Sequence, residues 1–171
     1  MIFITLGTQK FQLNRLLKAI DELIAEGKIT DTVFAQIGFS DYKPKHFETC
    51  DYMKKEMMDQ KIKESDLIIT HSGVGTIMTA IQLGKRVLVY PRLVKYKEHV
   101  DDHQVEIGLA FEKRNYVCLC KESDDLLQKI QEAMTKKLNR YESSKGRIPN
   151  LIEQFINENF AEKIKGEKEC Q

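Results

Sequence analysis

Along the chain, short and wholly apolar runs alternate with longer stretches in which apolar positions recur every three or four residues. The runs at 1–6, 32–37, 67–69, 87–90 and 116–119 read as strands, because a parallel strand covered on both faces is continuous in its hydrophobicity. Leu13, Leu16, Leu17, Ile20, Leu23 and Ile24 fall at helical spacing and predict a helix that stops at Gly27. Further helices are expected over 53–63, with Met57, Met58 and Ile62 as the apolar side, and from the turn at 73–75 to Leu83, closed by Gly84. Two more are expected over 100–112 and over 124–139, the latter with Ser123 as N-cap. The polar, aromatic stretch 39–50, with Pro44, reads as a loop holding one short strand at 47–50. Pro149 then opens an amphipathic stripe of Leu151, Ile152, Phe155, Ile156 and Phe160.

Strands separated in this way by helices imply βαβ units. The expected fold class is α/β, a Rossmann-like doubly wound and mostly parallel sheet plus a C-terminal helix. The expected organisation is a ligand-binding domain over 1–142, the amphipathic helix over 147–165, and a frayed tail over 166–171.

Composition narrows the function classes. The 171 residues are enough for one domain with a real core, and 27 basic against 26 acidic side chains give a net charge of +1. Nothing there suggests nucleic-acid binding, which needs a basic stripe, and the few aromatics do not interleave with basic clusters. The four cysteines form no C-x-x-C pair, so a zinc ribbon or a thioredoxin-like motif is not expected. Cys118 and Cys120 share one face of a strand and read as core packing. No run approaches the length of a membrane span, and the expected location is cytoplasmic.

The densest candidate chemistry is the strand–turn–helix at 65–80. His71, Ser72, Gly73, Val74, Gly75 and Thr76 sit where a strand ends and a helix begins. Open α/β sheets bind ligands there, and unpaired amides with the helix dipole favour an anion. The turn lacks both the dinucleotide fingerprint and a Walker A lysine. A second glycine turn at Gly7, Thr8 and Gln9 follows the first strand, so the two could flank one crevice. His99 and His103 stand at a metal-ligand spacing, but the Glu that a zinc protease needs after the first His is replaced by Val100. Asp101, Asp102, His103 and Gln104 alternatively suit a polyhydroxyl ligand, or a solvated helix start. Arg92, Lys95 and Lys97 could neutralise phosphate or simply lie on the surface. His71 could act as a base or donor, or cap a turn.

Ile4 to Gln9 with Asn14-Arg15-Leu16, Ser65-Asp66 with residues 70–76, Leu83-Gly84-Lys85, and Pro91-Arg92 with residues 98–104 resemble one family in order and spacing. It is the C-terminal domain of family 28 glycosyltransferases, the nucleotide-sugar-binding half of a GT-B enzyme. The likeness runs from residue 1 to about 139 and is strongest to the stand-alone PssE or EpsF type of exopolysaccharide and capsule synthesis. The eukaryotic subunit of the dolichol-linked GlcNAc transferase is more distantly similar.

The resemblance implies a UDP-sugar-binding subunit of a two-component hexosyltransferase for galactose or GlcNAc. A membrane-associated PssD-type partner would bind the lipid-linked saccharide and recruit this chain to the inner face of the plasma membrane. By the same likeness, residues 71–76 lie beside diphosphate and uridine, Asp102, His103 and Gln104 beside the donor sugar, and Gly7 and Thr8 face the acceptor phosphates. Amides at two helix N-termini would hold the diphosphate, with no metal or other cofactor. The general base is expected from the partner, so no catalytic residue is assigned in this chain. One departure stands out: Thr79 occupies the position where many relatives place a ribose-binding Glu or Asp. It keeps open an alternative, a non-catalytic accessory that stabilises or activates a glycosyltransferase partner.

Overall fold

A computed structural model of the chain describes residues 1–141, which hold six strands and five α-helices. The strands are β1 (Ile2–Thr5), β2 (Val33–Gln36), β3 (Glu48–Cys50), β4 (Leu67–Thr70), β5 (Arg86–Val89) and β6 (Cys118–Leu119). The helices are α1 (Asn14–Ala25), α2 (Lys55–Glu64), α3 (Val74–Gln82), α4 (His103–Lys113) and α5 (Leu126–Thr135), with a 3-10 turn at Val94–Tyr96. Every strand pairing is parallel, in the order β3-β2-β1-β4-β5-β6. This is the doubly wound sheet expected from the pattern. The expected helix at 147–165 and tail at 166–171 lie outside the described residues.

The strands are apolar throughout because both faces are covered. Ile2 and Ile4 of β1, Leu67 and Ile69 of β4, and Leu88 of β5 enter one core layer with Leu16, Leu17 and Ile20 of α1 and Ile130 and Ala133 of α5. The alternate residues Phe3, Ile68, Val87 and Val89 enter the other layer, with Ile62 of α2 and Ile77, Ala80 and Ile81 of α3. Cys118 and Cys120 do share a face, in the first layer. Met57 is an exception to the expected apolar side of α2: it is exposed, and Ile62 carries the burial.

No helix fills the β2–β3 crossover; its loop is held down on α1 instead. Asp21, buried on α1, accepts hydrogen bonds from the Tyr42 hydroxyl at 2.7 Å, the Lys45 and His46 amides at 3.0 and 2.9 Å, and the His46 ring at 3.0 Å. Burial alone would raise its pKa, but these bonds outweigh it and hold the carboxyl below the usual range. Ser40 Oγ accepts the Leu13 amide at 3.0 Å, and Gln12 Oε1 accepts that of Asn14 at 2.7 Å.

Two helix starts differ from expectation. Helix α4 begins at His103, whose amide donates to Asp101 Oδ1, and the charged segment before it holds the 3-10 turn, with Asp102 Oδ1 accepting the Val94 amide. Helix α5 is capped by Asp125, whose Oδ1 accepts the Gln128 amide at 2.8 Å, rather than by Ser123. No helix among the described residues is long and apolar enough to cross a membrane.

Candidate functional site

The strand order reverses between β1 and β4, whose connections leave toward opposite sides of the sheet. Thr5 and Thr70 are paired in register at the carboxyl ends of these strands, so the turns that follow open side by side. That is the crevice where open α/β sheets take ligands. It brings together the two glycine turns singled out in the sequence.

One imidazole sits between them. A Cβ added to Gly7 would stand 2.5 Å from His71 Cε1, and one added to Gly73 would stand 2.9 Å from the same atom. Neither turn can carry a side chain without moving the ring, and Gly7 also requires a left-handed φ of +72°. His71 is 7 % exposed, and its Nδ1 lies 3.3 Å from the Thr5 carbonyl, to which it donates when that nitrogen carries the proton. Burial pushes the imidazole down to about 4, with the Arg92 and His99 charges acting in the same direction. His71 is therefore neutral at neutral pH, an enclosed and weak base that spaces the two turns.

Helix α3 starts directly from this crevice. Its N-cap is Gly73, with no side-chain cap and no acid in the first turn. The first-turn amides of Val74, Gly75 and Thr76 are thus left for an anion or for water. A Cβ on Gly75 would meet nothing within 4 Å, so the space there is open. The first turn behaves differently from expectation. Residues 7–13 form an irregular loop before α1, whose leading amides are already taken up by Ser40 and Gln12. Helix α3 therefore offers this crevice an N-terminus without a side-chain cap.

Arg92 lies inside the protein. It is 1 % exposed, and its Nη2 donates to the carbonyls of Leu6 and Phe11 at 2.6 and 3.0 Å, tying the loop after β1 to the segment after β5. Burial lowers its pKa to about 10, opposed by the charge of Glu98. The Arg92 amide donates to Gln104 Oε1 at 3.1 Å, and the Ser72 hydroxyl donates to the Gln104 carbonyl at 2.6 Å. Gln104 is thus a buried junction between the β4–α3 turn, the segment after β5 and α4. Ser72 holds this position at a φ of +74°, a conformation that costs a non-glycine residue. Thr8 and Asp102 are exposed, Asp102 Oδ1 accepting the Val94 amide at 3.1 Å. His103 lies 3.1 Å from Glu106 and 3.6 Å from Asp101, while His99 Nδ1 lies 3.1 Å from Asp101. Among the described residues no group of three or more His, Cys, Asp or Glu side chains is arranged to hold a metal ion. Lys95 is paired with Glu122.

A feature that the sequence reading passed over lies beneath the crevice. Thr5, Gln36 and Thr70 are the last residues of β1, β2 and β4, stand in register and are buried. Thr5 Oγ1, Gln36 Oε1 and Thr70 Oγ1, with Arg92 Nε and Nη1, are the buried side-chain polar atoms without a partner among the described residues. All of them lie at the carboxyl edge of the sheet. Buried polar atoms are ordinarily satisfied, so this edge holds unused hydrogen-bonding capacity. The signal was available: each of these otherwise apolar strands ends on one polar residue.

The glycosyltransferase family 28 C-terminal domain matches residues 1–164. The chain is 25 % identical over 134 residues to the UDP-N-acetylglucosamine transferase subunit ALG13 of Mus musculus, an alignment that takes in 69 % of this chain and 10 % of that protein. The chain therefore spans a small part of that relative's length. The solution structure of ALG13 superposes with a TM-score of 0.57 at 19 % identity, covering 94 % of this chain and 96 % of that one. The kitacinnamycin glycosyltransferase superposes with a TM-score of 0.56 at 17 % identity, covering 78 % of this chain and 33 % of that one. At such identities the structural likeness speaks for the fold.

Proposed function

Because the chain belongs to the glycosyltransferase family 28 C-terminal domains, we propose that it is the nucleotide-sugar-binding subunit of a two-component glycosyltransferase. In this reading it holds a UDP-sugar and passes a hexose, galactose or GlcNAc, to a lipid-linked saccharide. The acceptor is bound by a membrane-associated PssD-type subunit, which recruits this chain to the cytoplasmic face of the membrane for exopolysaccharide or capsule synthesis. The observation that carries the reading is the convergence of unpaired buried polar atoms and one uncapped helix N-terminus on the switch-point crevice.

The first-turn amides of α3 would receive the diphosphate and stabilise the charge that develops on the departing UDP, with Ser72 and His71 shaping the turn. Asp102, His103 and Gln104 at the start of α4 would face the donor sugar, and Gly7 and Thr8 the acceptor side. With His71 enclosed and only weakly basic, the base that activates the acceptor hydroxyl is assigned to the partner. Arg92 would brace the crevice through Nη2, while its Nε and Nη1 would be left to meet the phosphates.

The test is reconstitution. The purified chain should bind UDP weakly and transfer nothing alone; the membrane subunit should restore transfer, and His103→Ala or Gln104→Ala should then abolish it. Full transfer by this chain alone would sink the two-subunit claim. One observation favours the accessory reading: Thr79 Oγ1 donates back to the Gly75 carbonyl at 2.9 Å, so its proton is engaged within α3. In that case transfer by the complex would survive Gly75 and Gln104 substitutions.

A further inference from the structure

The segment between β5 and α4 carries its own internal bonds and is anchored to α1 mainly through one side chain. Arg15 Nε and Nη2 donate to the two carboxylate oxygens of Glu98 at 3.2 and 2.9 Å, a forked pair, and Nη2 also reaches the Pro91 carbonyl at 3.3 Å. Nη1 donates to the Tyr90 hydroxyl. The guanidinium lies 4.5 Å from the ring centre of Tyr90 and 4.8 Å from that of Tyr96. Glu98 is 1 % exposed, and its Oε2 also accepts the Leu93 amide at 3.1 Å. The same segment ends in Asp102, which accepts the Val94 amide, so Glu98 and Asp102 close it into a compact arm.

We propose that Arg15 and Glu98 are positioning residues that set the amino end of α4 against the crevice, and thereby govern binding of the sugar end of the ligand rather than its nucleotide. The proposal rests on the nucleotide-sugar reading above. Two geometric facts separate this pair from the nucleotide site. The α3 turn is held by His71 against Gly7 and Gly73 and by the Ser72–Gln104 bond, none of which involves Arg15. Arg15 instead touches the arm at Tyr90, Pro91, Tyr96 and Glu98, upstream of Asp102 and His103. A lysine supplies a cation without the planar fork, so it preserves charge while releasing the orientation of the arm.

Calorimetry on the full chain with UDP, UDP-GlcNAc and UDP-galactose tests this. The wild type should bind one UDP-sugar more tightly than UDP. Arg15→Lys should keep UDP affinity within about twofold while losing about fivefold for that UDP-sugar, the worth of one hydrogen bond to a sugar hydroxyl. Arg15→Gln, which keeps a donor for Glu98 and leaves that carboxylate charged near the buried Arg92, should give the same split if Arg15→Lys folds poorly. Equal losses for UDP and UDP-sugar, no loss at all, or a wild type that does not distinguish them would overturn the proposal. If the wild type binds no nucleotide, the donor-binding reading fails separately. The backbone amide spectrum then decides: Arg15→Lys should shift Asp102, His103 and Gln104 but not Val74 to Thr76, and unmoved Asp102–Gln104 signals overturn the positioning role.

Discussion

Gly7 and His71 are packed so closely that hydrogen is the only side chain Gly7 can carry: a Cβ there would stand 2.8 Å from Nε2 and 2.5 Å from Cε1 of the ring. Gly7→Ala also forces alanine into a left-handed φ, which alone costs about 1–2 kcal/mol. It should therefore destabilise the fold more than Gly73→Ala, whose φ of −65° suits any residue. Urea denaturation of both variants, repeated in a His71→Ala background, checks this. The Gly73→Ala penalty should largely vanish there, whereas the Gly7→Ala penalty should shrink only to its backbone part.

Stability should fall as the pH drops from neutral. The His71 pKa is depressed in the folded state, from 6.5 to about 4, so the unfolded chain binds the proton first. The contribution is complete above pH 6.5 and is lost as the pH falls toward 4, amounting to about 2 kcal/mol between pH 7.5 and pH 5. His71→Gln should flatten this part of the profile by that amount. An identical pH dependence in the variant would show that the ring is not sealed.

Ser72 combines strain with a useful bond, and the two can be separated. Ser72→Ala keeps the left-handed φ and loses the bond to the Gln104 carbonyl, so a loss of about 1 kcal/mol or more is expected. Ser72→Gly loses the same bond but relieves the strain, and should be the milder change by thermal unfolding.

Thr79→Glu places a carboxylate one turn inside α3, where the present hydroxyl bonds back to Gly75. If ribose lies along that helix, the variant should bind UDP several-fold more tightly, at about 1 kcal/mol per added hydrogen bond. Binding of pyrophosphate, which has no ribose, should be no tighter. Equal tightening of both ligands would place the ribose elsewhere.

The layered sheet was legible because its signals are local. Strands such as Ile2–Thr5 and Leu67–Thr70 are apolar on both faces, and Gly27 and Gly84 close α1 and α3 where the periodicity ends. The site was legible only in part. The glycine turns at 7 and 73 could be read, but their convergence on His71 depends on β1 lying next to β4, which no local pattern reports. Arg92, beside a proline in a charged run, looks like a surface residue; its acceptors Leu6 and Phe11 lie far away in sequence. The loop before α1 hid for the same reason, since Ser40, on a distant segment, meets its leading amide.

The in-register row of Thr5, Gln36 and Thr70 gives the crevice a floor that can exchange one set of hydrogen-bond partners for another. A ligand group that packs against it has to supply hydrogen-bond partners to the Thr5 and Thr70 hydroxyls and the Gln36 amide oxygen, and an apolar group there would leave buried oxygens bare. Selectivity at this depth would therefore penalise a poorly matched group more than it rewards a larger one.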